Sequence, residues 1–458
     1  VVCDKSFTHS GFFAVYSGRI SACVIYFTGI KRLKGVKVVN QKRIIQVDEK
    51  VPAAQMIPLS IQHVFAMFGA SVLVPLVFGI NADIVLFMNG IGTLLFILIT
   101  HGRAPAYLGS SFAFLAPAQV VIAGLGFEYA QGGFVVVGLL GCVLALVVWK
   151  FGTDWIDVVL PPAAMGPVVA LIGLDLAANT VAGGSTGANL LSSTTSVGDI
   201  VTFAVTLGVA IFASVLFRGF LSVIPLLVAM VCGYLSAVCF GLVDFSPLYN
   251  VSLFTIPHFH LAKFDTSAVL TMVPVLLVIC TEHIGHQIVT SKIVGRDLLR
   301  DPGLHRSLLG DNLSSALSGL IGSVPTTTYG ENIGVMAITG VYSVQVIAGA
   351  AVISILMAFI GPLSAFISTI PGDVIGGITF LLYGMIGASG LRILVDKQVD
   401  YSKNKNLILT SVVFVAGLSG AAIKLGDISI TGMTLAAVTA IILSLIFYLL
   451  DRAHLMND

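Results

Sequence analysis

Three residues in one apolar run, VPVLLVICTEHIGHQIVT, carry groups that seldom enter a membrane: Glu282, His283 and His286. Glu282 and His286 are four apart, so on a helix they share a face and come within hydrogen-bonding reach. A further carboxylate, Glu331, stands between Gly330 and Asn332 in another apolar stretch. A carboxylate at membrane depth costs about 2.5–3.5 kcal/mol on insertion scales, so it faces the protein interior and marks a functional site by default. A Glu–His pair held there can take up and release a proton in the physiological range. The competing reading is a structural buried pair; for His283, which points to another face than His286, packing competes evenly with function. No metal centre is indicated. The zincin order is His-Glu-x-x-His, whereas here Glu precedes two histidines only three apart. No Ser/His/Asp set or phosphate-cradling glycine loop occurs, and Gly90-Ile91-Gly92 lies in an apolar run. The six cysteines show no paired spacing that would suggest a disulfide framework or a zinc site. The expectation is a protein that is not an enzyme and uses no cofactor.

The elements that position these groups must be membrane helices. Of 458 residues, 57% are hydrophobic and 10% charged, and the mean hydropathy is +1.02. An ordinary soluble domain carries roughly 25% charged residues, so this composition excludes a soluble enzyme and a disordered chain. A net charge of +1 gives no electrostatic footprint for nucleic acid. A spanning helix takes about 20 apolar residues, and the runs predict an all-α polytopic membrane protein with about fourteen spans. They lie near 58–78, 83–100, 105–120, 132–150, 161–178, 198–216, 220–242, 268–290, 308–322, 325–339, 343–362, 371–390, 406–422 and 431–450.

The two halves resemble each other. Gln62-His63 in span 1 matches Glu282-His283 in span 8; Ser110 to Ala113 in span 3 matches Thr327 to Gly330 in span 10; Pro161 and Gly166 in span 5 match Pro371 and Gly376 in span 12. Two repeats of seven spans, an odd number, force the second half to be inverted, a recurring plan of transporters with a midplane site. Spans 3 and 10 are short and broken by Pro105, Gly109 and Pro117, and by Pro325, Gly330 and Gly334. The β-prone run Thr326-Thr327-Thr328-Tyr329 predicts a short extended stretch. Non-helical backbone at that depth survives only where protein or a cavity surrounds it. Each broken span should therefore hold an extended stretch and a half-helix meeting near the midplane, where free N–H groups can bind a polar ligand. Proline-kinked packing helices are the competing reading.

Lys and Arg follow the even-numbered spans: Arg103, Lys150, Arg218, Lys292, Arg296, Arg300, Arg306, Arg392, Lys397, Lys403 and Lys405. The positive-inside rule then puts both termini in the cytoplasm, with Lys263 as a mild exception. Residues 1–50 are basic and too polar to span; they read as a dispensable cytoplasmic leader, part of it open to being an upstream extension not native to the protein. Asp175 reads as a residue at the membrane–water boundary, with a permeation route as the competing role. Asp83 and Asp373 read as helix starts, and Arg296, Asp297, Arg300 and Asp301 as a structural mixed-charge loop.

At these residues the chain resembles the nucleobase–cation symporters, also called nucleobase–ascorbate transporters, and most of all their uracil-transporting branch. The likeness runs from about Pro58 to about Leu450. It rests on Gln62-His63, on PAYLGSSFAF (Pro105–Phe114), on DLLRDPGLHRS (Asp297–Ser307), and on the motif Glu331-Asn332-Ile333-Gly334 through Thr339-Gly340. Position 340 is Gly where close uracil permeases often have Arg. The resemblance implies a core domain of spans 1–4 (58–150) and 8–11 (268–362), and a gate domain of spans 5–7 (161–242) and 12–14 (371–450). It implies that Glu282 and Glu331 hydrogen-bond a pyrimidine, with backbone contacts from Phe112 and Gly330, and that Ala70, Tyr329 and Tyr383 line the pocket. His286 would pair with Glu282 in proton coupling. It further implies a proton-coupled uracil symporter of the cell membrane working by alternating access, and a homodimer through gate domains. Purine-transporting relatives usually carry Gln at the position of Glu331. The rivals are a xanthine, urate or broader nucleobase permease, and a channel or anion exchanger on the same scaffold.

Overall fold

The computed structural model describes residues 44–456 apart from 178–179, 182–187, 189, 192–193, 250 and 426–427. The expected leader up to residue 43 lies outside the described residues. Leaving aside the short helices Asp154–Val159, Thr266–Met272 and Gly361–Ser368, in the first half the helices are α1 Ala53–Phe78, α2 Ala82–Ile99, α3 Leu115–Gly124, α4 Phe127–Phe151, α5 Pro162–Ala177, α6 Val197–Leu216 and α7 Pro225–Cys239. In the second they are α8 Val275–Val294, α9 Leu304–Leu320, α10 Gly330–Thr339, α11 Val344–Ala358, α12 Gly372–Asp396, α13 Asn404–Leu418 and α14 Gly432–Arg452. Each falls on one predicted span. By length and composition, seven helical segments among the described residues can cross a membrane: α1, α2, α4, α6, α12, α14 and the stretch Thr266–Val294 that ends in α8. The turn-and-helix Phe112–Gly124 and α5, α7, α11 and α13 are apolar but shorter.

Local sequence sets the boundaries. Ser196 and Asp199 form a reciprocal capping box at the start of α6, at 3.2 and 2.7 Å. Asp83 opens α2, accepting from the Ile84 N–H at 2.7 Å and lying 3.0 Å from His258 Nδ1. Asp175 accepts from the Met433 N–H at 3.4 Å, in the first turn of α14. In the mixed-charge loop Asp301 pairs with Arg103 at 2.6 Å and Arg296 with Asp48 at 2.7 Å.

The broken spans hold the feature that organises the core. Before α3 lies β1, Leu108–Ser110, and before α10 lies β2, Thr326–Thr328; the two pair antiparallel with Leu108 opposite Thr328 and Ser110 opposite Thr326. The ladder runs on at both ends, from Ser111 N–H to Pro325 C=O at 2.8 Å and from Tyr329 N–H to Tyr107 C=O at 2.9 Å. A two-stranded ribbon has two open edges, which cannot face hydrocarbon. Hydroxyl side chains close them. On the β1 edge Thr93 of α2 accepts from the Leu108 N–H at 2.9 Å. On the β2 edge Ser315 of α9 accepts from the Thr326 N–H at 3.0 Å and donates to its C=O at 2.6 Å. A second ribbon, β3 Ala422–Leu425 with β4 Ile428–Thr431, precedes α14.

Helix packing falls into two sets. In one, α9 packs on α4 and α2, and α11 on α2 and α1; in the other, α12 packs on α5 and α6, α6 on α7, and α13 and α14 on each other and on α5. The α4–α9 contact depends on glycine. A Cβ at Gly138 would lie 2.6 Å from the Ala316 nitrogen, and one at Gly141 would run into the Asn312 amide. Only absent side chains let these backbones approach so closely.

Residues 44–50, read from the sequence as the end of a dispensable leader, belong with Val51 to the folded unit. Their backbone runs beside Gly340 to Val344, with Ile45 bridging Val341.

Candidate functional site

The extended stretches aim both half-helices at one place. The turn Phe112–Phe114 continues β1 into α3, and Gly330 opens α10 directly after β2. Ser111 and Tyr329 stand at the two N-cap positions, and neither provides a side-chain cap. The first N–H groups of both half-helices therefore point, with the positive ends of two dipoles, into the space where they meet. α8 closes that space, packing against β2, α10 and the turn at Phe112.

α8 brings the first carboxylate. Glu282 lies within electrostatic reach of Glu331, at the start of α10, and of Asp311 on α9. Glu282, His286, Phe112 and Glu331 are half-buried and Gly330 is exposed, whereas β1 and β2 beside them are fully buried. Accessible surface in the middle of a packed region marks an internal space bordered by these five residues. The bonded partner of His286 is not Glu282. Its Nδ1 lies 3.0 Å from the Thr328 hydroxyl, and among the described residues no hydrogen bond joins it to Glu282. β2 thus holds the imidazole, and it also stands beside Gly330, whose Cβ would lie 3.7 Å from His286 Nε2.

His283 is buried completely and sits between two partners. Its Nδ1 is 3.5 Å from the same Thr328 hydroxyl and 3.6 Å from Asp311 Oδ2. Asp311 Oδ1 and His283 Nε2 have no hydrogen-bond partner among the described residues. Thr328 therefore joins two histidines and, through His283, a third acid. Asn332 of the sequence motif meets the Gln-His pair of α1: its amide nitrogen is 3.1 Å from His63 Nδ1 and 3.1 Å from the His63 carbonyl.

The three expected lining residues are buried, and Phe112 packs against the apolar clusters that hold them. Ala70 and Tyr329 are 2% and 3% exposed in one apolar cluster with Met67, Tyr107 and Ile347. The Tyr329 ring lies against Gly109, leaving no room for a Cβ there, and its hydroxyl donates to the Ser110 carbonyl at 3.1 Å. It backs the ribbon from behind. Tyr383 is buried on α12, its carbonyl pressed against Gly173 of α5.

Sequence reasoning left out Thr328, Asp311 and the His63–Asn332 contact. Asp311 had a readable signal: with Ser314, Ser315 and Ser318 it forms a polar stripe at helical spacing. Among the described residues no group of three or more His, Cys, Asp or Glu could hold a metal ion.

A polytopic helical membrane protein with two pseudo-symmetric broken spans crossing at an acid-lined space has the build of a secondary transporter. The chain matches the Permease family model (Xan_ur_permease) over residues 54–426 and belongs to that family. The uracil permease of Paenibacillus larvae is 51% identical over 425 residues, covering 91% of this chain and 99% of that protein. The uracil permease of Escherichia coli K12 is 51% identical over 413 residues (90% and 95%), and that of Bacillus subtilis 46% over 399 residues (85% and 92%). Among solved structures, the transmembrane domain of a cyanobacterial bicarbonate transporter, BicA, superposes with a TM-score of 0.60 at 15% identity, over 87% of this chain and all 100% of that one. The inward-facing murine anion transporter Slc26a9 gives 0.64 at 9% identity, over 98% and 76%. These likenesses establish the inverted-repeat transporter fold. The relatives are permeases, and the protein is a multi-pass membrane transporter rather than an enzyme.

Proposed function

We propose that the protein is a proton-coupled uracil symporter of the cell membrane, with both termini in the cytoplasm. The observation that carries this reading is the meeting of Glu282 and Glu331 with two uncapped half-helix N-termini at one internal space. Uracil is neutral and planar, with two N–H donors and two carbonyl acceptors. Two carboxylates accept from its N–H groups, and the backbone N–H groups at Phe112 and Gly330 donate to its carbonyls. Charge-assisted bonds of this kind are the stronger class. The names of relatives at 46–51% identity support uracil in particular, as does Glu rather than Gln at position 331.

His286, fixed by Thr328 beside Gly330, and Glu282 on the same helix face take up the coupling proton. The packing sets act as core (α1–α4, α8–α11) and gate (α5–α7, α12–α14), and the core carries the site across the membrane by rocking against the gate. Gate helices of two protomers meet in a homodimer.

The test is labelled-uracil uptake in cells lacking their own permease, with and without a protonophore, and with excess xanthine. Uptake that collapses with the protonophore and ignores xanthine is expected. Inhibition by xanthine would indicate a broader nucleobase permease. Uptake indifferent to the protonophore would remove proton coupling, and no uptake by folded, membrane-inserted protein would remove uracil.

A further inference from the structure

We propose that Ile44–Val51 is a strap that ties together the far ends of the two acid-bearing helices, α8 and α10, and so sets the placement of Glu282 against Glu331. The inference rests on the reading of those two carboxylates as the substrate's acceptors.

Both helices end the same way. α8 stops at Gly295 (φ 70°) and α10 at Gly340 (φ 72°), each in the left-handed conformation that closes a helix. The strap holds what comes at each end. Asp48 accepts from Arg296, the residue after Gly295, at 2.7 Å. The Ile45 N–H donates to the Gly340 carbonyl at 2.9 Å, and Tyr342 and Val344 donate to the carbonyls of Ile45 and Val47 at 2.8 and 3.1 Å. Ser343 donates its hydroxyl proton to the Glu49 carbonyl at 2.7 Å, and the Val51 N–H donates to the Gln345 side chain at 3.2 Å.

Val47 is the buried pin. It is 2% exposed and shares an apolar cluster with Val294 at the end of α8, Leu298 just beyond it, Ile333 and Met336 of α10, and Leu108 of β1. Val47 thus belongs to one buried cluster with side chains of α8, α10 and β1, three of the elements that build the site. The Asp48–Arg296 pair is solvent-exposed, so it supplies direction more than stability; the ladder and Val47 do the holding. Helices are stiff over these lengths, so a shift at the tied ends is carried to Glu282 within α8 and to Glu331 at the start of α10.

The test uses full-length chains in lipid nanodiscs. Ile45→Pro removes the N–H that Gly340 accepts from, Val47→Ala empties the pin, and Val47→Ile is the conservative control. Melting temperature, hydrogen exchange of amides 331–339 and equilibrium binding of labelled uracil are read together. Ile45→Pro and Val47→Ala are expected to speed exchange in α10 and to weaken uracil binding roughly threefold to tenfold, the scale of one lost hydrogen bond, while Val47→Ile binds as wild type. Folded variants with wild-type exchange in α10 and wild-type affinity overturn the strap. Should Ile45→Pro not accumulate, the double variant Val47→Ala/Arg296→Ala loosens the strap at its other two attachments, the buried pin and the Asp48–Arg296 pair, and is judged by the same outcomes. If the wild-type protein itself binds no uracil, the proposed substrate fails; the exchange comparison still decides whether the strap holds α10.

Discussion

At the scale of single residues, the site divides into groups that face the internal space and groups that aim them. Glu331 belongs to the first. Glu331→Ala should weaken uracil binding by roughly 1.5–3 kcal/mol, the worth of a hydrogen bond to a charged group, or about tenfold to a hundredfold in Kd; normal binding by the folded variant would end that assignment. Thr328 belongs to the second, because its hydroxyl is the bonded partner of His286. His286→Ala should impair proton-driven uptake more than equilibrium binding, and Thr328→Val should share that pattern while Thr328→Ser restores it. Equal losses in uptake and binding would instead make His286 a substrate contact. The sequence displayed Glu282, His286 and Glu331 because charge in an apolar run stands out. It concealed Thr328, since a threonine in a β-prone run looks like strand former and nothing more. It also suggested Glu282 as the partner of His286 from their spacing, but tertiary packing supplies the Thr328 hydroxyl, from a strand more than forty positions away.

At the scale of elements, the ribbon of β1 and β2 is the part that most needs its neighbours. The breaks in spans 3 and 10 were legible from Pro, Gly and the threonine run. Which strand edge faces which helix was not, because pairing partners lie over two hundred residues apart in the chain. Ser315 satisfies both backbone groups of Thr326, so Ser315→Ala strands a buried donor and acceptor. The expected cost is roughly 1–3 kcal/mol per unsatisfied group, seen as a lower melting temperature in detergent, with Ser315→Thr close to wild type. An unchanged melting temperature would show that water replaces the hydroxyl. Helix ends follow the expected span edges at α2, α6 and α14, where hydropathy changes sharply, whereas α12 runs on to Asp396, past the expected end at 390. The breaks at Val273–Pro274 before α8 and at Phe359–Ile360 after α11 were missed, because both lie inside continuous apolar runs.

At the scale of the whole molecule, the proposed motion can be arrested by one bond between the two packing sets. A Cβ at Gly69 on α1 would stand 3.6 Å from the Leu226 Cβ on α7, within the usual separation of bridged cysteines, about 3.5–4.5 Å. In a background with the native cysteines replaced, the pair Gly69→Cys/Leu226→Cys should oxidise readily. Uptake should fall to background and return with reductant. Full uptake with the bridge intact would mean that α1 and α7 do not move apart during transport.

The polarity of α9 has a consequence for how the protein is made. Buried Asp311, Asn312, Ser314, Ser315 and Ser318 leave it outside the helices apolar enough to cross a bilayer, and an aspartate at the centre of an isolated helix opposes partition into lipid. During synthesis α9 therefore has no reason to leave the translocation machinery alone. Its dock is α4, with Gly138 and Gly141 opened to receive it, and α4 is complete long before α9 emerges. The first half of the chain thus serves as an assembly platform for the second, and the correct threading of α9 depends on a partner already waiting in the membrane.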